Sequence, residues 1–324
     1  MPAITADPQT LTRLPATPDS STAWRPVVKV VNAQHAVEGD GFHVRRPFPN
    51  AELSLADPFL LLDHMGGPER IAPGEAKGTP WHPHRGFETV TYMLDGQLQH
   101  TDSNGGGGVI GDGDTQWMTA GGGILHIEQP TELVMTQGAV MHGVQLWVNL
   151  PRAEKMVPPA YQDIRGSETL LLTDSEAATT VRVIAGDLAG HQGPGSTHTP
   201  ITYAHATLPP GTRLATPWPE ELSAMVYVLA GHGFVGPDRR PLDEGQLAVL
   251  GSGSALQVEA AADQPSSTQG LEVLLLGGRP IREPVARYGP FVMNTKEELI
   301  QAIEDFQAGR LGVVPENALM PHTG

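Results

Sequence analysis

Short apolar or alternating runs, each closed by a turn signal, recur along the chain from residue 25 onward. Val27-Val28-Lys29-Val30-Val31 is one and Phe59-Leu60-Leu61-Leu62 another. Glu88-Thr89-Val90-Thr91-Tyr92-Met93-Leu94 is a third, and it ends at Asp95-Gly96, a dipeptide that favours a two-residue hairpin. Gln97-Leu98-Gln99-His100-Thr101 leads into Asp102-Ser103-Asn104 and four glycines at 105–108, which only a turn or mobile loop accommodates. Val109-Ile110, Thr115-Gln116-Trp117-Met118, Ile124 to Glu128 and Gln145 to Leu150 complete the set. Strands this short at this spacing predict a barrel or sandwich.

The rhythm then repeats. Beyond a Gly-, His-, Ser- and Pro-rich stretch at 186–200, Tyr227-Val228-Leu229-Ala230-Gly231 echoes Tyr92-Met93-Leu94-Asp95-Gly96. Glu244-Gly245-Gln246-Leu247-Ala248-Val249-Leu250 likewise echoes Gly113 to Met118. The pattern predicts an internal duplication of one β-barrel unit. It divides the chain into a disordered arm (1–25), a first barrel (26–150), a connecting segment with some strands (151–200), a second barrel (201–290) and a C-terminal helix and tail (291–324). In that last part Thr295-Lys296-Glu297-Glu298 has the form of a capping box, and Leu299, Ile300, Ile303 and Phe306 recur at helical spacing. Gly309 suits the left-handed position that ends such a helix. The expected fold class is all-β, two tandem barrels with one short C-terminal helix.

Composition narrows the chemistry. With 38 Gly and 30 Pro among 324 residues, about a fifth of the chain breaks helices, which excludes a long-helix protein. There is no cysteine, so disulfides, thiolate nucleophiles, iron–sulfur clusters and Cys-type zinc sites are all excluded. Any metal must sit on imidazole and carboxylate. The net charge of −16 opposes phosphate backbones and anionic membrane surfaces, so direct nucleic-acid binding is not expected. Met1 to Asp7 lacks the basic and apolar regions of a signal peptide, and no apolar run reaches the ~18–20 residues of a membrane span. The expectation is a soluble, cytoplasmic monomer.

The informative residue type is histidine. The chain has 13, and eight of them (His35, His43, His64, His82, His84, His100, His126 and His142) precede residue 150. In a strand, residues two apart share a face, so His82 with His84, and His126 with Glu128, form inward pairs. Two antiparallel neighbours bring the pairs together as three imidazoles and a carboxylate, a donor set for a divalent first-row metal with open positions for water, substrate or O₂. Glu88, at the same strand parity as His84, is the rival carboxylate. His142 and Gln145 are candidates for the site's lining, Met118 and Trp117 for the core or pocket wall. His100 borders the glycine loop and is expected to be solvated; His35, His43 and His64 are expected to be structural or exposed.

The segments His82-Pro83-His84-Arg85-Gly86-Phe87-Glu88-Thr89-Val90-Thr91-Tyr92, Gln116 to Glu128 and Gln145 to Leu150 closely resemble the pirin family of the cupin superfamily. Arg25-Pro26-Val27, Asp57 to Asp63 and Gly289 to Thr295 resemble it as well. The resemblance spans roughly 25–312 and implies a bicupin with metal only in the first barrel, held by His82, His84, His126 and Glu128. The wider cupin pattern, in contrast, nominates Glu88. Many pirins carry Arg where this chain has Gly122, which changes the pocket rim. The second barrel has Thr216-Pro217-Trp218-Pro219 in place of the His pair and is expected to be metal-free.

The resemblance implies quercetin 2,3-dioxygenase activity, in which O₂ opens a flavonol ring and carbon monoxide leaves, with Glu128 as the catalytic base. The alternative is a non-enzymatic, metal- or redox-sensing regulator that binds a protein partner; a cupin isomerase of sugars is a third class. The expected cofactor is one divalent ion, Fe(II) first, with Mn, Co, Ni, Cu or Zn suited by the same donors. The expected small-molecule partners are a flavonol and O₂.

Overall fold

The structure, a computed structural model, describes residues 6–17, 22–39, 41–53, 56–265 and 269–321, apart from the side chains of residues 68 and 69. Its strands form two units of the same plan. In the first, a seven-stranded sheet runs in the order Ala160–Ile164, Thr115–Thr119, Phe87–Asp95, Ala139–Asn149, Phe59–Ile71, Phe42–Phe48, Gln34–Glu38. A four-stranded sheet accompanies it, in the order Thr79–His84, Ile124–Pro130, Leu98–Asp102, Gly107–Ile110. In the second unit the corresponding small sheet is Arg213–Pro217, Ala255–Ala260, His232–Val235, Arg240–Asp243. Its large sheet contains Gln246–Leu250, Met225–Ala230, Leu271–Gly278 and Ile201–Leu208, in the order in which their counterparts occur in the first. This repeated order is the duplication that the sequence echoes predict.

Strand parity sorts the apolar side chains into layers. Val226, Val228, Val273 and Leu275 pack with Leu214, Leu256 and Val258 of the small sheet, filling the second barrel. Their strand neighbours Met225, Tyr227, Leu274 and Leu276 point the other way, onto Val90, Tyr92, Trp117, Val144 and Leu146 of the first large sheet. The two barrels thus share one buried layer, back to back.

Two strand pairings cross the boundaries read from the sequence. Val27–Asn32 pairs with Gln246–Leu250 in the second barrel's sheet, while Ala160–Ile164 pairs with Thr115–Thr119 in the first. Each barrel therefore completes its edge with a strand from outside its own repeat. The disordered arm also needs correction: residues 1–5 and 18–21 lie outside the described residues, but Thr12–Arg13 pairs in parallel with Leu170–Thr173. Leu14 is buried in the second barrel's core. One well-placed leucine and an edge strand anchor a proline-rich segment that carries no periodicity.

The C-terminal helix forms as expected over Lys296–Gln307, with reciprocal capping between Thr295 and Glu298, and Gly309 adopts φ +70°. Leu299 and Ala302 form its buried face, whereas Ile300 and Phe306 remain exposed. A second short helix, Glu132–Gln137, was not legible in the sequence. No helix among the described residues is long and apolar enough to cross a membrane.

Candidate metal centre

The strand Thr79–His84 lies antiparallel to Ile124–Pro130, with His82 directly opposite His126 and His84 opposite Ile124. That register puts three imidazoles on one face. Their ligand atoms all lie within 4.8 Å of one another. His82 Nε2 is 3.0 Å from His84 Nε2 and 2.9 Å from His126 Nε2. Two imidazoles at ~2.1 Å from one ion, on adjacent octahedral positions, stand ~3.0 Å apart. Among the described residues, no other set of three or more His, Asp or Glu side chains converges in this way.

The outer ring nitrogens fix what the inner ones present. His82 Nδ1 is 2.8 Å from the Pro80 carbonyl, and His84 Nδ1 is 3.4 Å from that of Pro290. A carbonyl only accepts, so both Nδ1 atoms carry the hydrogen and both Nε2 atoms offer lone pairs. Burial holds all three rings below the ordinary imidazole pKa, so they are neutral at pH 7. Two lone pairs facing each other across 3.0 Å repel unless a cation lies between them. The donor set therefore fits a divalent ion.

Glu128 follows His126 by two residues, but a bulge intervenes: Glu128 pairs with Thr79, not with the residue the His126–His82 register would give. Its backbone N–H donates to Thr79 Oγ1 at 3.2 Å, and its Oε1 accepts from Thr91 Oγ1 at 3.2 Å. The carboxylate stands beside the three-His cluster rather than within it, on the wall of a cavity of about 30 Å³ that Gln145 and Asp63 also line. Burial pushes its pKa up to about 7. A carboxyl raised in the folded state contributes stability below the unfolded value that is lost as pH rises through the folded one. Glu128→Gln is thus expected to stabilise the metal-free protein at pH 8, by up to ~3 kcal/mol for a shift from 4.5 to about 7, and to be neutral at pH 4. Urea denaturation across pH 4–8 checks this, and a difference independent of pH would contradict it.

The other nominated residues separate. Gly86, at φ +89°, ends the first ligand strand before Phe87–Asp95 begins, so parity does not carry from His84 to Glu88. Glu88 shares a face with Val90 and Tyr92, the layer between the barrels, and its Oε1 accepts from Thr119 Oγ1 at 2.7 Å. This corrects the rival ligand: Glu88 faces away from the histidines. Trp117 lies in the same inter-barrel layer and is not pocket wall. His142 is also removed from the centre, with its Nε2 2.7 Å from His64 Nε2, whose Nδ1 in turn is 3.1 Å from Tyr227 OH of the second barrel. Gln145 pairs across from Thr91 and does line the cavity. Met118 is buried with Ile124 and accepts from Tyr161 OH at 2.8 Å. His100, expected in solvent, is 3% exposed, stacks on Tyr161 and lies opposite Glu128 on the neighbouring strand.

The supports on the outer face have no signature in the local pattern. The C-terminal strand Phe291–Met293 bridges to Arg85, Arg85 Nη1 donates to Asp305 Oδ2 at 2.7 Å, and Trp81 Nε1 donates to Leu319 O at 2.9 Å. Lys155 is buried, and its Nζ donates to Gly86 O at 2.8 Å, Asn149 Oδ1 at 2.7 Å and Val292 O at 3.0 Å. Burial among these neutral acceptors lowers its pKa to about 8. The ammonium ties the turn after His84 to both the barrel and the C-terminal strand. Lys155→Met leaves those acceptors unpaired, at ~1–3 kcal/mol each. Metal titration is expected to show weaker binding than in Leu275→Ala, which destabilises the second barrel's core by a comparable ~2–5 kcal/mol and leaves the ligand strand untouched. Equal metal affinity in the two variants would contradict the positioning role.

The second barrel shows the same frame without the donors. Thr216 pairs with Leu256 as His82 pairs with His126, so the four positions equivalent to His82, His84, His126 and Glu128 are Thr216, Trp218, Leu256 and Val258. All four are buried. Apolar volume occupies the place of a metal.

Family models describe the two halves separately: one for pirin matches residues 41–148, and one for the pirin C-terminal cupin domain matches 203–312. The chain is 42% identical to human pirin over 278 residues, covering 85% of this chain and 90% of that protein. It is 41% identical to a pirin-like protein of Solanum lycopersicum over 296 residues, 90% of this chain and 96% of the relative. The crystal structure of quercetin 2,3-dioxygenase from Acinetobacter baumannii superposes with a TM-score of 0.82 at 37% identity, covering 90% of this chain and all of that one. Matched along both barrels by sequence, and by fold over nine-tenths of its length, the chain belongs to the pirin family of bicupins.

Proposed function

We propose that the protein is a metal-dependent dioxygenase that opens the ring of flavonols, or of related enol and phenol substrates, with O₂. The observation that carries this reading is the convergence of three neutral imidazoles, two of them with Nε2 lone pairs turned inward, beside a buried carboxyl whose pKa is about 7. The likeness to the Acinetobacter quercetin 2,3-dioxygenase supports it. His82, His84 and His126 would hold the ion, and Glu128 would join them as the fourth ligand if its side chain turned from Thr91. A divalent ion held there, Fe(II) first, would supply a lowered pKa for a substrate hydroxyl and access to O₂ chemistry. Glu128 takes the hydroxyl proton, a role suited to a group that titrates near neutrality. Thr91 holds the carboxylate in the orientation in which it acts as a base rather than a ligand, and Gln145 offers an amide to a substrate oxygen on the cavity wall. Ring opening consumes one O₂ and releases one carbon monoxide.

The cavity's small volume favours a second reading, a metal- or redox-sensing regulator that binds a protein partner, because a water-sized space admits no flavonol as it stands. Oxygen uptake with quercetin, after anaerobic loading with each of Fe, Mn, Co, Ni, Cu and Zn, separates the two. Uptake matching quercetin loss supports the dioxygenase; no uptake in any loaded form moves the reading to the regulator.

A further inference from the structure

The cavity of about 30 Å³ beside Glu128 is no larger than a water molecule needs, whereas an aromatic ring needs a space of roughly 150 Å³. A three-ring flavonol belongs in the range of ~300 Å³ and above. Something that closes the first barrel must therefore move, and its lining identifies the element. Glu38 and Phe42 both line the cavity and face each other as the last pair of one hairpin, Gln34–Glu38 with Phe42–Phe48. That hairpin is the edge of the seven-stranded sheet, and among the described residues its outer strand pairs only with its own partner. Its far end reaches across to the ligand sheet: a Cβ on Gly39 would stand 3.0 Å from Thr79 Cγ2 and 3.1 Å from Gly78 O. The hairpin so spans the gap between the two sheets on the Glu128 side.

One side chain latches it. Arg46, on the inner strand of the hairpin, donates Nε to Asp63 Oδ1 at 2.7 Å and Nη2 to Asp63 Oδ2 at 2.5 Å. The same Nη2 also donates to Glu38 Oε1 at 2.5 Å. Asp63 is buried on a central strand of the sheet, while Glu38 is half exposed at the hairpin's end. The fork therefore joins a fixed point to a movable one. The bond to Glu38 is the weaker anchor, because an exposed ion pair is screened and contributes at most ~1 kcal/mol.

We propose that Phe42 is the specificity-determining residue of this centre: its ring fills the space that a substrate's outer ring takes, and the hairpin end carrying it lifts when the Glu38–Arg46 contact breaks. The closed form admits water and small anions; flavonols enter only the open form. This rests on the dioxygenase reading of the metal centre, and the test separates the two. Co(II)-loaded protein is titrated anaerobically with azide and with quercetin, the visible bands of the ion reporting each ligand, for wild type, Phe42→Ala, Phe42→Trp and Glu38→Gln.

Azide affinity is expected to be the same in all four forms. Quercetin is expected to bind at least ~10-fold more tightly to Phe42→Ala and correspondingly more weakly to Phe42→Trp, the scale on which a pocket discriminates apolar volume. Glu38→Gln is expected to raise the quercetin association rate, with azide unchanged. Quercetin binding that is identical in all four forms, beside a normal azide response, overturns the gate and leaves the metal centre standing. Bound Co(II) that responds to neither ligand overturns the open-site reading, and the gate with it.

Discussion

Replacing His84 or His126 by Ala is expected to strip the protein of its metal. Each ring supplies one of three converging nitrogens, and the other two cannot close the gap because β-strands fix their Cα positions. Loss of a group that merely orients a ligand already costs ~10–100-fold in metal affinity, so loss of the ligand itself costs more. Metal analysis after dialysis is expected to fall from one equivalent to near none in both variants. The control is His205→Ala, which removes a buried imidazole held by Tyr92 OH at 3.0 Å and Glu272 Oε2 at 2.7 Å in the inter-barrel layer. That variant should lose stability but keep its metal. Full metal content in both His84→Ala and His126→Ala would overturn the assignment.

The second large effect separates two carboxylates. Glu128→Gln is expected to lower flavonol turnover by ~10²–10⁴, the usual contribution of a positioned general base. Glu88→Gln is expected to leave turnover and metal content nearly unchanged, because Glu88 points into the layer between the barrels and its hydrogen-bond donor is Thr119. Steady-state kinetics on the two metal-loaded variants decides between them. The reverse order would make Glu88 the functional carboxylate and would require the strand after Gly86 to turn over.

Much of this architecture is written in short-range pattern. Alternation and turn residues announced the strands, the Tyr92 and Tyr227 echoes announced the duplication, and the His-x-His and His-x-Glu pairs announced the three converging rings. Thr295 and Glu298 capped the helix as their spacing requires. Local pattern misleads where a strand meets a backbone irregularity or a long-range contact. Parity fails for Glu88 because Gly86 at φ +89° breaks the strand, whereas a bulge in the strand facing Glu128 shifts its partner to Thr79.

Long-range supports were invisible for a different reason. Lys155 lies 69 residues from the Gly86 carbonyl it binds and 137 from that of Val292, and nothing in its neighbours' pattern marks it. His64, His100 and His205 are each buried by partners on other strands, so a count of histidines could not tell them from ligands. The exchange of Val27–Asn32 and Ala160–Ile164 between barrels likewise depends on pairing across the duplication, which an echo between repeats does not encode.

The most direct test of the central claim is carbon monoxide release. Protein loaded anaerobically with Fe(II) and exposed to air with quercetin is expected to yield one carbon monoxide per quercetin consumed, with His126→Ala yielding none. Quercetin loss without carbon monoxide, or equal release by His126→Ala, would contradict the claim that these three histidines hold a ring-opening dioxygenase centre.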